Sequence, residues 1–200
     1  VPKDNAGFIR KRQIRVNLLR EIQGTPLVLE THAGAGKLYR HCYLDVPFGV
    51  AIDRSSEKAS LLAHQRPTWA VYEADSERAL REGLGARWAV NFVDVDPWGD
   101  PWPTLAAFFE STREIAPRLV VCVTDGLRQS AKMGISWKVG SLKGQVERRG
   151  NAAIHSDYLG VCEELLGELA RRAGFKLARW TGYYTGHAQQ MTHYGAVLTR

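Results

Sequence analysis

The residues with the most pointed chemistry run Asp94-Val95-Asp96-Pro97-Trp98-Gly99-Asp100-Pro101. They close an apolar run, WAVNFVDVD at 88–96, which reads as a strand that ends on a carboxylate and then turns. Asp96 offers one hydrogen-bond acceptor and the carbonyl of Pro97 a second, and the proline ring fixes the turn so that the two converge. Such a pair, set on the N–H groups of a conjugated amine, favours sp3 geometry and frees the lone pair for attack on an electrophilic carbon. Asp96 can also take the proton shed afterwards, directly or through water. Trp98 offers a ring face to a planar heterocycle, a contact worth about 1–3 kcal/mol. The structural alternative is a Pro/Gly-rich turn with Trp98 covering the core edge. Turn chemistry alone does not require two aspartates before the proline.

A second cluster, Glu30-Thr31-His32-Ala33-Gly34-Ala35-Gly36, closes the short apolar run LVLET at 27–31. Glycines at a strand-to-helix turn let the backbone approach a ligand and aim helix N-terminal amides at it. The segment lacks the third glycine of a dinucleotide fingerprint and the GK[ST] of a phosphate loop. Asp53 ends GVAID at 49–53, where an acid can accept from both hydroxyls of a ribose, and Asp75 ends AVYEAD at 70–75, where a polar group can meet a base. Taken singly, Asp53 and Asp75 read equally well as helix N-caps. Taken together, acids at the carboxyl ends of successive strands face one crevice, and Asp94 joins them from the fourth.

These positions require strands that alternate with helices. Beyond those named, RLVVCVTD at 118–125 reads as a fifth strand, and helices are expected near 36–44, 55–65, 76–83 and 101–116. In the last of these Leu105, Phe108, Phe109 and Thr112 share one side. Ser156 is read as the N-cap of a helix to about Arg172, and Gly174 as its stop. KLARWTGYYT at 176–185 and THYGAVLTR at 192–200 are joined by GHAQQM alone, which favours an antiparallel hairpin. The fold class is therefore α/β, Rossmann-like. Its seven-stranded sheet is mostly parallel with an antiparallel terminal strand, and helices cover both faces.

The expected organisation is a basic helical segment over 1–26 and one domain over 27–200, with a basic substrate-side loop at 126–155. With 200 residues, 44% hydrophobic and 24% charged, the chain has ample apolar content for a single core. The net charge of +6 is concentrated in two places. Within the first twenty residues Lys3, Arg10, Lys11, Arg12, Arg15 and Arg20 stand against Asp4 alone. Arg128, Lys132, Lys138, Lys143, Arg148 and Arg149 face only Glu147 in the second. There Arg128, Lys132, Lys138 and Lys143 are candidates for phosphate contacts and Trp137 for stacking, the alternative being a mobile surface excursion. No membrane span is expected, because no apolar run approaches roughly 18 residues, and no signal-peptide pattern opens the chain. Three scattered cysteines without a CxxC pair favour the reducing cytoplasm, and His187 and His193 in a hairpin turn do not make a metal site.

The cluster at 30–36 resembles the first motif of class I methyltransferases, E-x-x-x-G-x-G, and the turn after strand four resembles the (Asp/Asn/Ser)-Pro-Pro-(aromatic) element of amino-methyltransferases. More closely, FVDVDPWGDP at 92–101 is similar to the D-x-D-P-(aromatic)-G-(Ser)-P motif of the tRNA (guanine-N2-)-dimethyltransferases, and RLVVCVTDG at 118–126 resembles their fifth strand. The likeness covers about Leu27 to Gly126. It implies S-adenosylmethionine as cofactor, contacted by Glu30, His32, Gly34, Gly36, Asp53, Asp75 and Asp94. It also implies Asp96 as catalytic acceptor or base, flanked by Pro97 and the base-facing Trp98. The chain departs from that family in Trp98 for Phe or Tyr, in Asp100 for Ser, and in having no room for the family's additional C-terminal domain. The expected reaction is N-methylation of an exocyclic base amine, guanine N2 in tRNA or another RNA foremost, with nucleic acid as partner. DNA, a small molecule or a protein as substrate, or a non-catalytic RNA-binding subunit, are the alternatives.

Overall fold

A computed structural model describes residues 5–200, so Lys3 and Asp4 of the basic N-terminal segment lie outside the described residues. Five strands, β1 (Leu27–Thr31), β2 (Phe48–Asp53), β3 (Ala70–Glu73), β4 (Val90–Val95) and β5 (Ile115–Asp125), pair in parallel. β6 (Lys176–Thr185) and β7 (Met191–Thr199) complete one sheet in the order β3-β2-β1-β4-β5-β7-β6, with β7 antiparallel to both neighbours. This is the strand plan expected above.

The continuous apolar runs of the central strands are explained by burial on both faces. Leu29, Val50, Val93 and Val121 point into one core with Leu80 of α3 (Ser76–Arg81), Phe108 of α4 (Trp102–Glu110) and Val161 of α7 (Tyr158–Arg172). Their sequence neighbours Val28, Ala51, Phe92 and Val120 point the other way, to Ile14 and Leu18 of α1 (Asn5–Leu19), to Tyr43 of the short helical turn Tyr39–Tyr43, and to Leu62 of α2 (Ser56–Gln65). Period-two alternation thus splits the apolar side chains between two layers.

Four expectations about the elements need correction. The helix expected over 101–116 ends at Glu110, and Thr112 lies beyond it. β5 begins early, at Ile115, and its ladder with β4 shifts register between Val90 and Phe92. Pro117 sits in that bulge, where its missing N–H costs no ladder bond.

The 126–155 stretch is not a loop. It forms α5 (Arg128–Lys132), two 3-10 turns and α6 (Lys143–Ser156), the last broken at Gly150. Its apolar residues are too sparse for one long helix, yet Leu127 and Ala131 at α5, Leu142 in the second 3-10 turn and Ile154 in α6 are buried. Ser156 closes α6, and Asp157 caps α7 by accepting from Gly160 N–H at 3.2 Å. Among the described residues no helix is long and apolar enough to cross a membrane.

β5 ends on a carboxylate that the sequence reading did not single out. Asp125 is fully buried and accepts from Leu127 N–H at 2.7 Å and from the Tyr158 hydroxyl at 3.0 Å. Burial pushes its pKa up to about 7, against the opposing pull of those donors. Between about pH 4 and 7 the unfolded chain has released this proton and the folded chain retains it, so the stabilisation fades as pH rises through that window. Asp125→Asn is expected to flatten that decline in urea midpoints measured from pH 4 to 8. Parallel wild-type and variant profiles would show that Asp125 does not titrate there.

Candidate active site

The carboxyl ends of β1 to β4 open onto a cavity of about 560 Å³. Its wall is built from the turns after β1 (His32 to Ala35), β2 (Asp53 to Ser55), β3 (Ala74 to Ser76) and β4 (Asp96 to Trp98), with Phe8 and Lys11 of α1 closing it from the side. The first turn needs left-handed backbone, with φ of 58° at His32, 57° at Gly34 and 74° at Gly36. At Gly34 a Cβ would meet nothing within 4 Å, so its backbone stands open to the cavity. Gly36 does something else: a Cβ there would lie 2.7 Å from Leu62 Cδ2. Its bare backbone lets the turn pack on α2, and it does not line the cavity.

Asp53 fastens two turns together, accepting from Gly34 N–H at 2.7 Å and Ser55 N–H at 2.9 Å. Ser55, not Asp53, is the cap of α2. Asp75 does cap its helix, accepting from Arg78 N–H at 3.0 Å, and also lines the cavity, so its two readings coexist. A carboxylate has about four acceptor positions, which leaves both residues capacity for a ligand. His32 lines the cavity as well, and burial lowers its pKa while Asp96 and Asp53 oppose.

Besides Gly36, two more expected cofactor contacts are placed elsewhere. Glu30 is buried behind the turn with Arg66 Nη2 at 2.8 Å from its Oε2, and the guanidinium stacks over Tyr39 and Trp69. Burial, only partly offset by Arg66, pushes Glu30 up to about 7. Asp94 is fully buried beneath the site, gripped bidentately by Arg15 at 2.6 and 2.7 Å and by the Tyr43 hydroxyl at 2.5 Å. Neither lines the cavity. A cation elsewhere in the chain claims each acid, which spacing along the chain does not show.

Asp96 and Pro97 stand on the cavity wall and Trp98 on its rim, fully exposed, so it does not cover the core edge. Both Asp96 oxygens accept from Lys11 Nζ at 2.6 Å. Burial works to raise the Asp96 pKa, but Lys11 and Arg15 outweigh it and hold it below the usual carboxylate range. Asp100 anchors the far end of this loop, accepting from Trp102 N–H at 2.9 Å and the Ser141 hydroxyl at 3.2 Å.

Of the expected substrate-side residues, Arg128 is buried. It donates to the carbonyls of His155 at 3.3 Å and Gln189 at 2.7 Å and stacks on Tyr184, so it clamps the fold rather than meeting solvent. Lys132, Trp137, Lys138 and Lys143 are exposed outside the cavity, on the segment that Ser141 ties to Asp100. His193 is also buried, its Nδ1 3.1 Å from the Thr124 hydroxyl, and burial lowers it to about 3. Among the described residues no group of three or more His, Cys, Asp or Glu side chains could hold a metal ion.

Among the site residues missed by sequence reasoning, Lys11 lies nearest the chemistry, and it was counted above only as part of a basic segment. Its four-residue spacing from Arg15 places both on one helix face, which was the available signal.

No protein-family model matches the chain, and no curated protein does. Solved structures do. Trm1 from Pyrococcus horikoshii, in complex with S-adenosyl-L-methionine, matches with a TM-score of 0.67 and 16% identity over 96% of this chain. The chain spans only 54% of that protein. TYW2 from M. jannaschii, in complex with AdoMet, matches with 0.57 and 12% identity over 100% of this chain and 78% of its own. The N-methyltransferase NodS from Bradyrhizobium japonicum matches with 0.59 and 12% identity over 98% of each chain. The chain has the Rossmann-like class I methyltransferase fold.

Proposed function

We propose that the cavity binds S-adenosylmethionine and that the chain methylates an exocyclic amine of a nucleic-acid base, guanine N2 in tRNA or another RNA foremost. The observation that carries this reading is the position of Asp96, Pro97 and Trp98 on the wall and rim of the same cavity that Gly34, Asp53 and Asp75 line. The structural likeness supports the cofactor, since two of the matched structures hold it. The cavity also fits it: about 560 Å³ suits a nucleoside-sized ligand, with open backbone at Gly34 and two acids at strand ends.

Asp53 would accept from the ribose hydroxyls and Asp75 would face the adenine edge. The cofactor supplies a methyl group on a sulfonium: the N–C bond forms as the S–C bond breaks, and that electron pair stays on sulfur. Asp96 and the Pro97 carbonyl accept from the amine's N–H groups and aim its lone pair. Trp98 stacks on a base turned out of its helix. Lys132, Lys138 and Lys143 meet phosphates beside Trp137, and the expected compartment is the cytoplasm.

Calorimetry and salt titration test the two binding claims. Asp53→Ala is expected to weaken S-adenosylmethionine binding by about 10- to 100-fold, the loss of hydrogen bonds to a charged group. Unchanged affinity would move the cofactor out of this cavity. Each Ala substitution at Lys132, Lys138 or Lys143 is expected to reduce the slope of log K against log salt for tRNA by about one. Unchanged slopes in all three would detach this segment from the partner.

A further inference from the structure

Asp96 is almost withdrawn from water and has one close counterion. Lys11 Nζ lies 2.6 Å from the carboxylate, and the two side chains are only 18% and 17% exposed. Lys11 is held there from below. One turn further along α1, Arg15 is fully buried, grips Asp94 through two hydrogen bonds and donates Nη1 to the Lys11 carbonyl at 3.2 Å. The helix is thereby pinned with its Lys11 side chain against Asp96.

The groups around Asp96 leave Lys11 little competition. Arg15 also faces it from α1, but that guanidinium is committed to Asp94. Thr124 of β5 offers a neutral hydroxyl, and His193 of β7 is held neutral by burial. His32, after β1, is likewise lowered by burial, and Glu30 on β1 and Asp94 on β4 carry the same sign as Asp96. Without Lys11, a carboxyl group in this position would relieve its desolvation by taking up a proton. The protonated form offers a donor where an incoming amine needs an acceptor. With Lys11 in place, one acceptor position on each oxygen is used and about two remain.

The geometry points to Lys11 as a positioning residue that makes Asp96 an acceptor of hydrogen bonds rather than of a proton. This rests on the amine-methylation reading of the site. When nitrogen gains the methyl group it becomes cationic, and its surplus proton leaves to water. Asp96 remains a carboxylate paired with Lys11 throughout.

The test uses the full chain with Lys11→Met, which keeps the stem, and Lys11→Arg, which keeps the charge. Asp96 is followed by carboxyl ¹³C NMR in aspartate-labelled protein, its signal assigned by loss in Asp96→Asn. In Lys11→Met the Asp96 midpoint is expected to rise by at least about one pH unit, the size of shift a neighbouring opposite charge produces. Lys11→Arg is expected to keep the wild-type midpoint. The acid limb of kcat should move upward with the midpoint in Lys11→Met, and kcat on the high-pH plateau should fall. An unmoved midpoint would overturn the proposal. So would a higher plateau, because a freed Asp96 acting as base would be a stronger one. A shifted midpoint in Lys11→Met, found together with a wild-type chain that methylates no amine, would support the Lys11 hold on Asp96 and discard the amine reading instead.

Discussion

Asp96→Ala is expected to lower kcat for methyl transfer by about 10²- to 10⁴-fold, with S-adenosylmethionine affinity unchanged within about threefold. The asymmetry follows from where Asp96 stands. It lies on the wall after β4, while the groups assigned to the cofactor come from the turns after β1, β2 and β3. Its acceptor strength matters most as the amine nitrogen gains positive charge, so its loss falls on the transition state more than on binding. Lys11 loses its partner in this variant but is partly exposed and can hydrate, so stability should change little. Asp96→Asn, which keeps one acceptor oxygen, should fall between Ala and wild type. Equal losses in kcat and cofactor affinity would place Asp96 in the cofactor's own site, and an unchanged kcat would remove it from the chemistry.

Arg15→Met is expected to destabilise the fold by about 3–5 kcal/mol, because it leaves the Asp94 carboxylate buried without its cation. Both side chains have no solvent exposure, and the Tyr43 hydroxyl supplies no compensating charge. For a domain of this size that corresponds to a fall in Tm of roughly 6–20 °C by calorimetry. The double variant Arg15→Met/Asp94→Leu should recover most of the loss, since a pair of apolar side chains can replace a buried ion pair at little cost. A single variant within about 1 kcal/mol of wild type would mean that the pair contributes no more than a surface bridge. A double variant no better than the single would place the cost in packing of α1 rather than in the orphaned charge.

The parts of this fold that were legible in sequence are those where local pattern and tertiary demand agree. LVLET, GVAID and KLARWTGYYT read as strands because short apolar or alternating runs sit between glycine and proline breaks, and they appear as β1, β2 and β6. The crevice was legible because polar residues ending successive strands share one sheet edge, and Gly34, Asp53, Asp75 and Asp96 meet at one cavity. Pairing across the chain was not legible. Glu30 and Asp94 have the residue type and position of ligands, but Arg66 and Arg15 claim them from elements 36 and 79 residues away. Arg128 reads as a surface cation until the carbonyls of His155 and Gln189 are seen to converge on it. The helices in 126–155 were missed because each buries only one or two apolar side chains, too few to set up a helical period.

Incubation of the protein with methyl-labelled S-adenosylmethionine and, side by side, total tRNA, total rRNA and genomic DNA, followed by nucleoside analysis, tests the central claim most directly. The predicted result is label in an N-methylated base, N2-methylguanosine from an RNA pool foremost, with Asp96→Ala run in parallel and silent. Cofactor binding without label in any nucleic-acid pool would contradict it.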